Sequence, residues 1–388
     1  MKALIIANKY PYPPRDGSSI AILSSLRMWQ RMGYEVTLFA LNPKKSEVPA
    51  DILPADLKGK IITHTFSINT DVTPIGAAKN LIGQRPYHIS RFLNSAIADA
   101  LKQLTSEMRF NFVQWEGPFM GEYLPFVQGN SKHIMRSHNI EHRIWLRVAK
   151  HTKNPILKRY LRLQANRLMR FEDRFTRKMN AVLPITEVDA QYFAKKFPSI
   201  PRHVVLPGVV VDQYPRWKDG GNTAVSLASF DWEPNREGMA WFINEVKPLL
   251  NTEIKGEIAG RHMPTHWTPS KNWKFHGHVD GAHEFLLGGR LQFIPLLSGS
   301  GIRIKIVEAM SMGMPVVATD IAAEGSGLTP GEHYLEGSTP EAFAEALNKL
   351  YSSPDERQRL SENAFSFAQA HYNLNTIAGE LLRFTKQL

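Results

Sequence analysis

Arg303, Lys305 and Glu308 follow a glycine-rich turn, Ser298-Gly299-Ser300-Gly301. The spacing predicts that the turn opens a short helix, that Gly313 stops it, and that Pro315 leads into an apolar strand, Val316 to Thr319. A helix N-terminus offers amide N–H groups with no intrahelical acceptor, and with cations beside them it makes a seat for a phosphate or diphosphate. A carboxylate one or two turns along, here Glu308, lies on the same wall and can accept hydrogen bonds from a ribose diol. Phosphate and ribose together mean a nucleotide. The same spacing also suits an ordinary glycine-turned helix with Ile302, Ile304 and Ile306 inward and the charges in solvent. The residue types alone leave both readings open.

Other residues of reactive type stand at ends of expected elements. His138 follows the strand His-Ile-Met-Arg-Ser, at the strand end where open α/β sheets place ligand contacts. Arg136 and Glu141 flank it, and Asn139 can instead cap the next helix. Gly17, with Arg15 and Asp16, sits at the tip of the first loop, where a missing Cβ lets a ligand approach the backbone. Fourteen histidines are scattered along the chain, with His262/His266 and His276/His278 in local pairs, too few convergent partners for a metal site. With no Asp-x-Asp at a strand end either, no metal is expected.

The elements that must position these residues repeat one rhythm. Lys2–Ala7 reads as a strand, Asn8–Gly17 as a proline-rich loop, Ser18 or Ser19 as the cap of a helix to about Met32, and Glu35–Leu41 as the next strand. That is a βαβ unit, but its first loop lacks the G-x-G-x-x-G of a dinucleotide site. Further strands are expected near 61–66, 112–115, 133–136 and 181–185. Helices are expected near 90–106, 119–127, 187–197 and 140–179, the last broken at Asn154-Pro155. The rhythm restarts with a strand at 224–229, a helix at 236–250, strands at 257–259, 273–275 and 291–295, and the glycine motif. Helices near 340–351, 354–371 and 373–388 close the chain. Two α/β halves predict two doubly wound Rossmann-like domains with a cleft between them: 1–205, joined by the C-terminal helix 373–388, and 206–372.

At 388 residues the chain is too long for one ordinary core. It has no cysteine, which excludes disulfides and thiolate chemistry and suits a cytoplasmic setting. Neither a signal-peptide core nor a membrane-length apolar run is present. The net charge of +11 is concentrated: Arg143 to Lys178 carries twelve Lys and Arg against Glu172 and Asp173. The segment reads either as a basic face for an anionic partner such as an inner-membrane surface, or as a solvated helix with Leu157, Leu161 and Leu168 inward. Nothing accompanies it that marks a nucleic-acid binder.

The stretch GxGxRxKxxEAMxxGxPVVAT, Gly299 to Thr319, resembles the nucleotide-sugar motif of the GT4 family of retaining glycosyltransferases, which have the GT-B fold. The resemblance implies a hexosyltransferase that uses a nucleoside-diphosphate sugar and no cofactor or metal. It further implies a glycan or polyprenyl-diphosphate-linked acceptor, in cell-surface polysaccharide or glycoconjugate synthesis. It implies that His138 meets the transferred sugar or its leaving phosphate, that Gly17 with Arg15 approaches the diphosphate, and that Arg303 and Lys305 take the leaving charge. Glu308 would hold the ribose, backbone amides of Ser300, Gly301 and Ile302 the sugar, and the Gly277-His278-Val279 turn the base. Two departures stand out. Ser300 occupies the place of a second glutamate, and around Ser229–Arg236 only Arg236 is cationic, beside Asp231 and Glu233. An epimerase on the same scaffold, or a binding protein without catalysis, shares these features.

Overall fold

The computed structural model describes the whole chain except residues 15, 50, 51, 210, 212, 213, 300 and 301 and the side chains of 74, 79 and 151. The chain forms two compact units, one of residues 1–208 with 377–388 and the other of residues 209–376.

In the first unit the order is β1 (Lys2–Ala7), α1 (Gly17–Arg31), β2 (Glu35–Pro43), β3 (Ile61–Ile68), α2 (Pro74–Ile82), α3 (Tyr87–Ser90) and α4 (Ser95–Glu107). There follow β4 (Phe112–Glu116), β5 (Lys132–Ser137), α5 (Glu141–His151), α6 (Pro155–Thr176), β6 (Ala181–Pro184) and α7 (Glu187–Lys196). All strand pairs are parallel, in the order β3-β2-β1-β4-β5-β6. β1 pairs with β2 from Lys2↔Glu35 to Ala7↔Ala40 and with β4 from Ala3↔Phe112 to Ile6↔Trp115. Such strands are covered on both faces, which is why β1 and β2 read as nearly unbroken apolar runs.

The second unit runs β7 (Ala224–Leu227), α8 (Glu233–Trp241), β8 (Gly256–Ala259), β9 (Trp273–His276), α9 (Ala282–Leu287), β10 (Leu291–Ile294) and α10 (Ile304–Met312). It closes with β11 (Val316–Ala318), α11 (Asp320–Ala323), β12 (Leu335–Glu336), α12 (Pro340–Ser352) and α13 (Pro354–His371); α14 (Leu374–Thr385) ends the chain. Its parallel order, β12-β11-β10-β7-β8-β9, is the same doubly wound pattern. Phe242, Phe293, Trp273 and Phe343 centre its core, with the Phe242 and Phe293 rings stacked at 4.3 Å. In both units the strand order reverses beside the first strand, and there the loops off the carboxyl ends part to leave a crevice.

Several local expectations are corrected. The cap of α1 is Asp16 and not Ser18 or Ser19: its Oδ1 accepts the Ser19 amide at 2.8 Å. The helix expected at 119–127 is a 3-10 turn, Gly121–Phe126, with Pro125 inside it. The helix expected at 236–250 starts earlier, at Glu233, because Pro234 suits a first helical turn. It then widens to a π turn at Phe242–Val246 before a 3-10 turn at Lys247–Leu249. The break at Asn154-Pro155 separates α5 from α6, with Asn154 capping the second helix.

Candidate functional site

In the second unit the crevice lies between the loops after β7 and β10, and α10 starts there. Arg303 is the cap residue of α10 and offers no side-chain cap, so the first-turn amides face the crevice without one. Arg303 is buried (6% exposed), with its guanidinium beneath Gly299 and 5.9 Å from the Trp232 ring centre. Gly299 has φ +130°, a conformation that strains any residue with a side chain, and a Cβ there would stand 2.6 Å from Arg303 Nη2. Burial draws the Arg303 pKa down, opposed by the charge of Glu324.

Lys305 turns the same way. Its Nζ donates to Asn235 Oδ1 at 2.9 Å, and Asn235 Nδ2 donates to the Ser229 carbonyl at 2.8 Å. Asn235 therefore joins the turn after β7, the start of α8 and the first turn of α10. Burial, then the charge of Arg303, lowers Lys305 to about 8. Glu308 lies three residues further along the helix, and burial raises it to about 7 against the Tyr214 hydrogen bond. Tyr214 Oη donates to its Oε1 at 3.5 Å and packs edge-on to His283 at 5.1 Å. The cations are thus not solvent-facing. Arg303, Lys305 and Glu308 share one wall, with Ile302 half-buried at its start.

The other expected residues divide. Arg236 is paired with Glu233 one helical turn away, on the exposed side of α8. His278 is exposed, 3.5 Å from Asp280, and Val279 is half-buried, both in the turn after β9. The Gly277 carbonyl accepts the Gly260 amide at 3.0 Å, tying that turn to the end of β8. Arg15, Ser300 and Gly301 lie outside the described residues. Gly17 is the first residue of α1. Among the described residues no three His, Asp or Glu converge as a metal-binding group.

In the first unit the chemistry gathers at the ends of β4 and β5. Glu116, the last residue of β4, has a fully buried side chain, and its Oε2 lies 2.5 Å from His138 Nε2. Gln114 Nε2 donates to Glu116 Oε1 at 2.7 Å and Trp29 Nε1 donates to Gln114 Oε1 at 2.7 Å, so a chain of bonds fixes the carboxylate. Burial pushes the Glu116 pKa up, but the hydrogen bond and charge of His138 and the charge of Arg136 leave it below its ordinary value. Arg136 is buried and tolerated because it donates to the carbonyls of Ala21 and Leu206 and to Ser25 Oγ. Glu172 accepts the Glu141 and His142 amides at 3.0 and 3.1 Å, capping α5 from α6. Glu141 itself is raised to about 8 by burial and the charge of Glu172. Sequence reasoning missed Glu116, Asn235, Tyr214 and Trp232. Only Glu116 had a local signal, as an acid closing the expected strand Phe-Val-Gln-Trp.

Residues 221–353 match the model of the family described as Glycosyl transferases group 1. Over 98% of the chain and 99% of its counterpart, the chain is 20% identical to an uncharacterized 44.6 kDa protein in the cps region of Klebsiella pneumoniae. A shorter match, 28% identical over 44% of the chain and 47% of the relative, is to a phosphatidyl-myo-inositol mannosyltransferase of Mycobacterium leprae. Among solved structures, Anabaena HepE in complex with UDP superposes with a TM-score of 0.68, covering all of both chains at 11% identity.

Proposed function

We propose that the chain, whose residues 221–353 match the group 1 glycosyltransferase model and whose fold is GT-B, is a retaining hexosyltransferase that works without a metal. It moves a hexose from a nucleoside-diphosphate sugar to a glycan or lipid-linked acceptor in polysaccharide synthesis. The observation that carries this reading is the inward turn of Arg303 and Lys305 at the uncapped start of α10. A departing nucleoside diphosphate leaves with two to three negative charges (about −2 to −3), and the buried Arg303, the half-buried Lys305 and the amide dipoles would accept them. Glu308 takes the ribose hydroxyls. His138, held by Glu116, meets the sugar or its departing phosphate. Uridine diphosphate is the first nucleotide to try, because HepE binds it.

The test is a thermal-shift series with UDP, GDP and ADP in the presence of EDTA, followed by NMR assignment of the anomer formed from the matching donor. A ligand that binds the native form raises its melting point. Stabilisation and transfer with retained configuration are expected. Loss of both on chelation, or an inverted product, would remove the metal-free or the retaining claim respectively.

An anionic membrane surface is the second partner of this reading. No helix among the described residues is long and apolar enough to cross a membrane. The basic segment of α5 and α6 nonetheless leaves Leu146, Val148, Ile156, Leu157 and Leu163 exposed, while Leu161 and Leu168 are buried. Beside it α2 exposes Ile75, Leu81 and, at 94%, Ile82, and is bound to α6 through Arg167 and Gln164. Cations interleaved with unpaired apolar side chains suit a bilayer of acidic lipids. In vesicle flotation, binding to anionic but not neutral vesicles, weakened by salt, is expected; absence from both ends the claim.

A further inference from the structure

The first unit holds a pocket of about 370 Å³ off the carboxyl ends of β1 and β2, lined by neither Glu116 nor His138. That edge of a doubly wound sheet is where ligands bind, and the volume suits one sugar unit. Its wall is built by long-range pins. Tyr10 Oη donates to the Ile52 carbonyl at 2.8 Å, and Asn42 exchanges two hydrogen bonds with the Val48 backbone at 2.8 and 3.2 Å. Residues 44–48, after β2, are thereby folded back to close one side.

The lining is unusual in charge. Lys9, Lys45 and Arg91 face it, with Tyr10, Tyr12 and Phe92 between them. Among the described residues the one carboxylate on the wall, Asp16, is already engaged: it pairs with Lys9 at 2.7 Å and caps α1. Among the described residues Lys45 and Arg91 enter no ion pair. Arg91 is half-buried, with Nη1 on the Thr70 carbonyl at 3.2 Å, its guanidinium 4.9 Å from the Phe92 ring centre, and a buried Nε that no acceptor reaches. Burial draws its pKa down, and no carboxylate is among the charges acting on it. A partly desolvated cation without an anion is costly in the empty protein and gains most when an anion enters.

We propose that this pocket recognises an acidic sugar unit of the acceptor, its carboxylate or phosphate bound by Arg91 and Lys45 and its ring packed on Tyr12. The proposal rests on the glycosyltransferase reading for the word acceptor, and on the pocket alone for the chemistry. Guanidinium matches an oxyanion through two parallel N–H groups, and an aromatic face suits the apolar face of a pyranose. A neutral sugar would leave Arg91 without a counter-charge.

Saturation-transfer NMR titrations of the full chain without nucleotide, using methyl glucoside, methyl glucuronide and glucose 6-phosphate, test this. At least one charged sugar binds about tenfold more tightly than the neutral one, and the tighter of the two identifies the oxyanion. In an Arg91→Gln/Lys45→Gln double variant that preference falls to about twofold or less, while the thermal shift given by UDP is unchanged. A neutral sugar that binds as well as the charged ones, or a preference that survives the double variant, overturns the proposal. A variant that no longer melts cooperatively is replaced by the two single substitutions, each of which must lower the preference. Because these titrations contain no nucleotide, a protein that ignores UDP but keeps the charged-sugar preference would sink the transferase reading and leave the pocket standing.

Discussion

The two units use one strand order and opposite chemistry. In the first, the crevice beside β1 ends in a carboxylate already satisfied: Glu116 has His138 on one oxygen and Gln114 on the other. In the second, the crevice beside β7 holds two cations: Arg303 has the charge of Glu324 acting on it, but Lys305 is bonded to the neutral Asn235 and no acid is among the charges that shift it. A satisfied pair is preorganised and rigid. A buried cation held only by a neutral group is a site that still lacks its counter-charge. The same scaffold thus presents a bonded acid–histidine pair in one unit and a cation-lined wall, the proposed anion receptor, in the other, and the difference lies in three or four side chains at the strand ends.

Removing the receptor's charge should have the largest effect. Arg303→Ala is expected to lower kcat/KM by about 10²–10³-fold and to abolish most of the UDP thermal shift, because one charge serves ground and transition states. Steady-state kinetics and melting curves read both. Loss of activity with the UDP shift intact would mean that the nucleotide sits elsewhere. Next is the dyad. Glu116→Gln keeps the shape but removes the charge that orients His138, so kcat should fall about 10–100-fold while UDP stabilisation is unchanged. A parallel loss of UDP affinity would erase the proposed division of labour between the units.

Much of this frame is written in local sequence. The strand–helix rhythm, the break at Asn154-Pro155 and the stop at Gly313, whose φ is +66°, follow from residues adjacent in the chain. Helix α2 escaped notice for a physical reason. It is short, begins at Pro74 behind a Thr73 cap, and carries Ile75, Leu81 and Ile82 outward, so it lacks the core-facing stripe by which helices are recognised. The cap of α1 was ambiguous because Asp16, Ser18 and Ser19 are all capping types, and only the register of the first turn decides among them. At the sites, Arg303, Lys305 and Glu308 were visible because turn and helix are contiguous. The partners that turn them inward were not: Asn235 lies 70 positions from Lys305, and Glu116 lies 22 from His138. Such pairings are products of the sheet order, which brings loops together that the chain keeps apart.

Two smaller effects sharpen the receptor end of the comparison. Glu308→Ala should weaken UDP by about 1–3 kcal/mol through lost charged hydrogen bonds, measured by calorimetry, with kcat less affected. A variant that binds UDP like the wild type would take the ribose off this helix.

The smallest is a pH effect with a definite sign. Burial holds Lys305 at about 8 in the folded protein against 10.5 for the free side chain. Between those values the unfolded chain holds the proton and the native lysine does not, so the ligand-free protein gains stability as pH rises through that window. Glu308 has the opposite linkage. Raised from 4.5 to about 7, it contributes stability below 4.5 that is lost as pH climbs to about 7. A diphosphate needs the lysine charged, so loss of the Lys305 proton by itself should lower UDP affinity about fourfold between about pH 7 and pH 8.5, while ionisation of Glu308 above about pH 7 returns about twofold. Calorimetric titration of Lys305→Arg across the same range should show no fall, because guanidinium stays charged there and Glu308 only gains charge. An equal fall in both proteins would assign the titration to another group and leave Arg303 as the cation that carries the receptor.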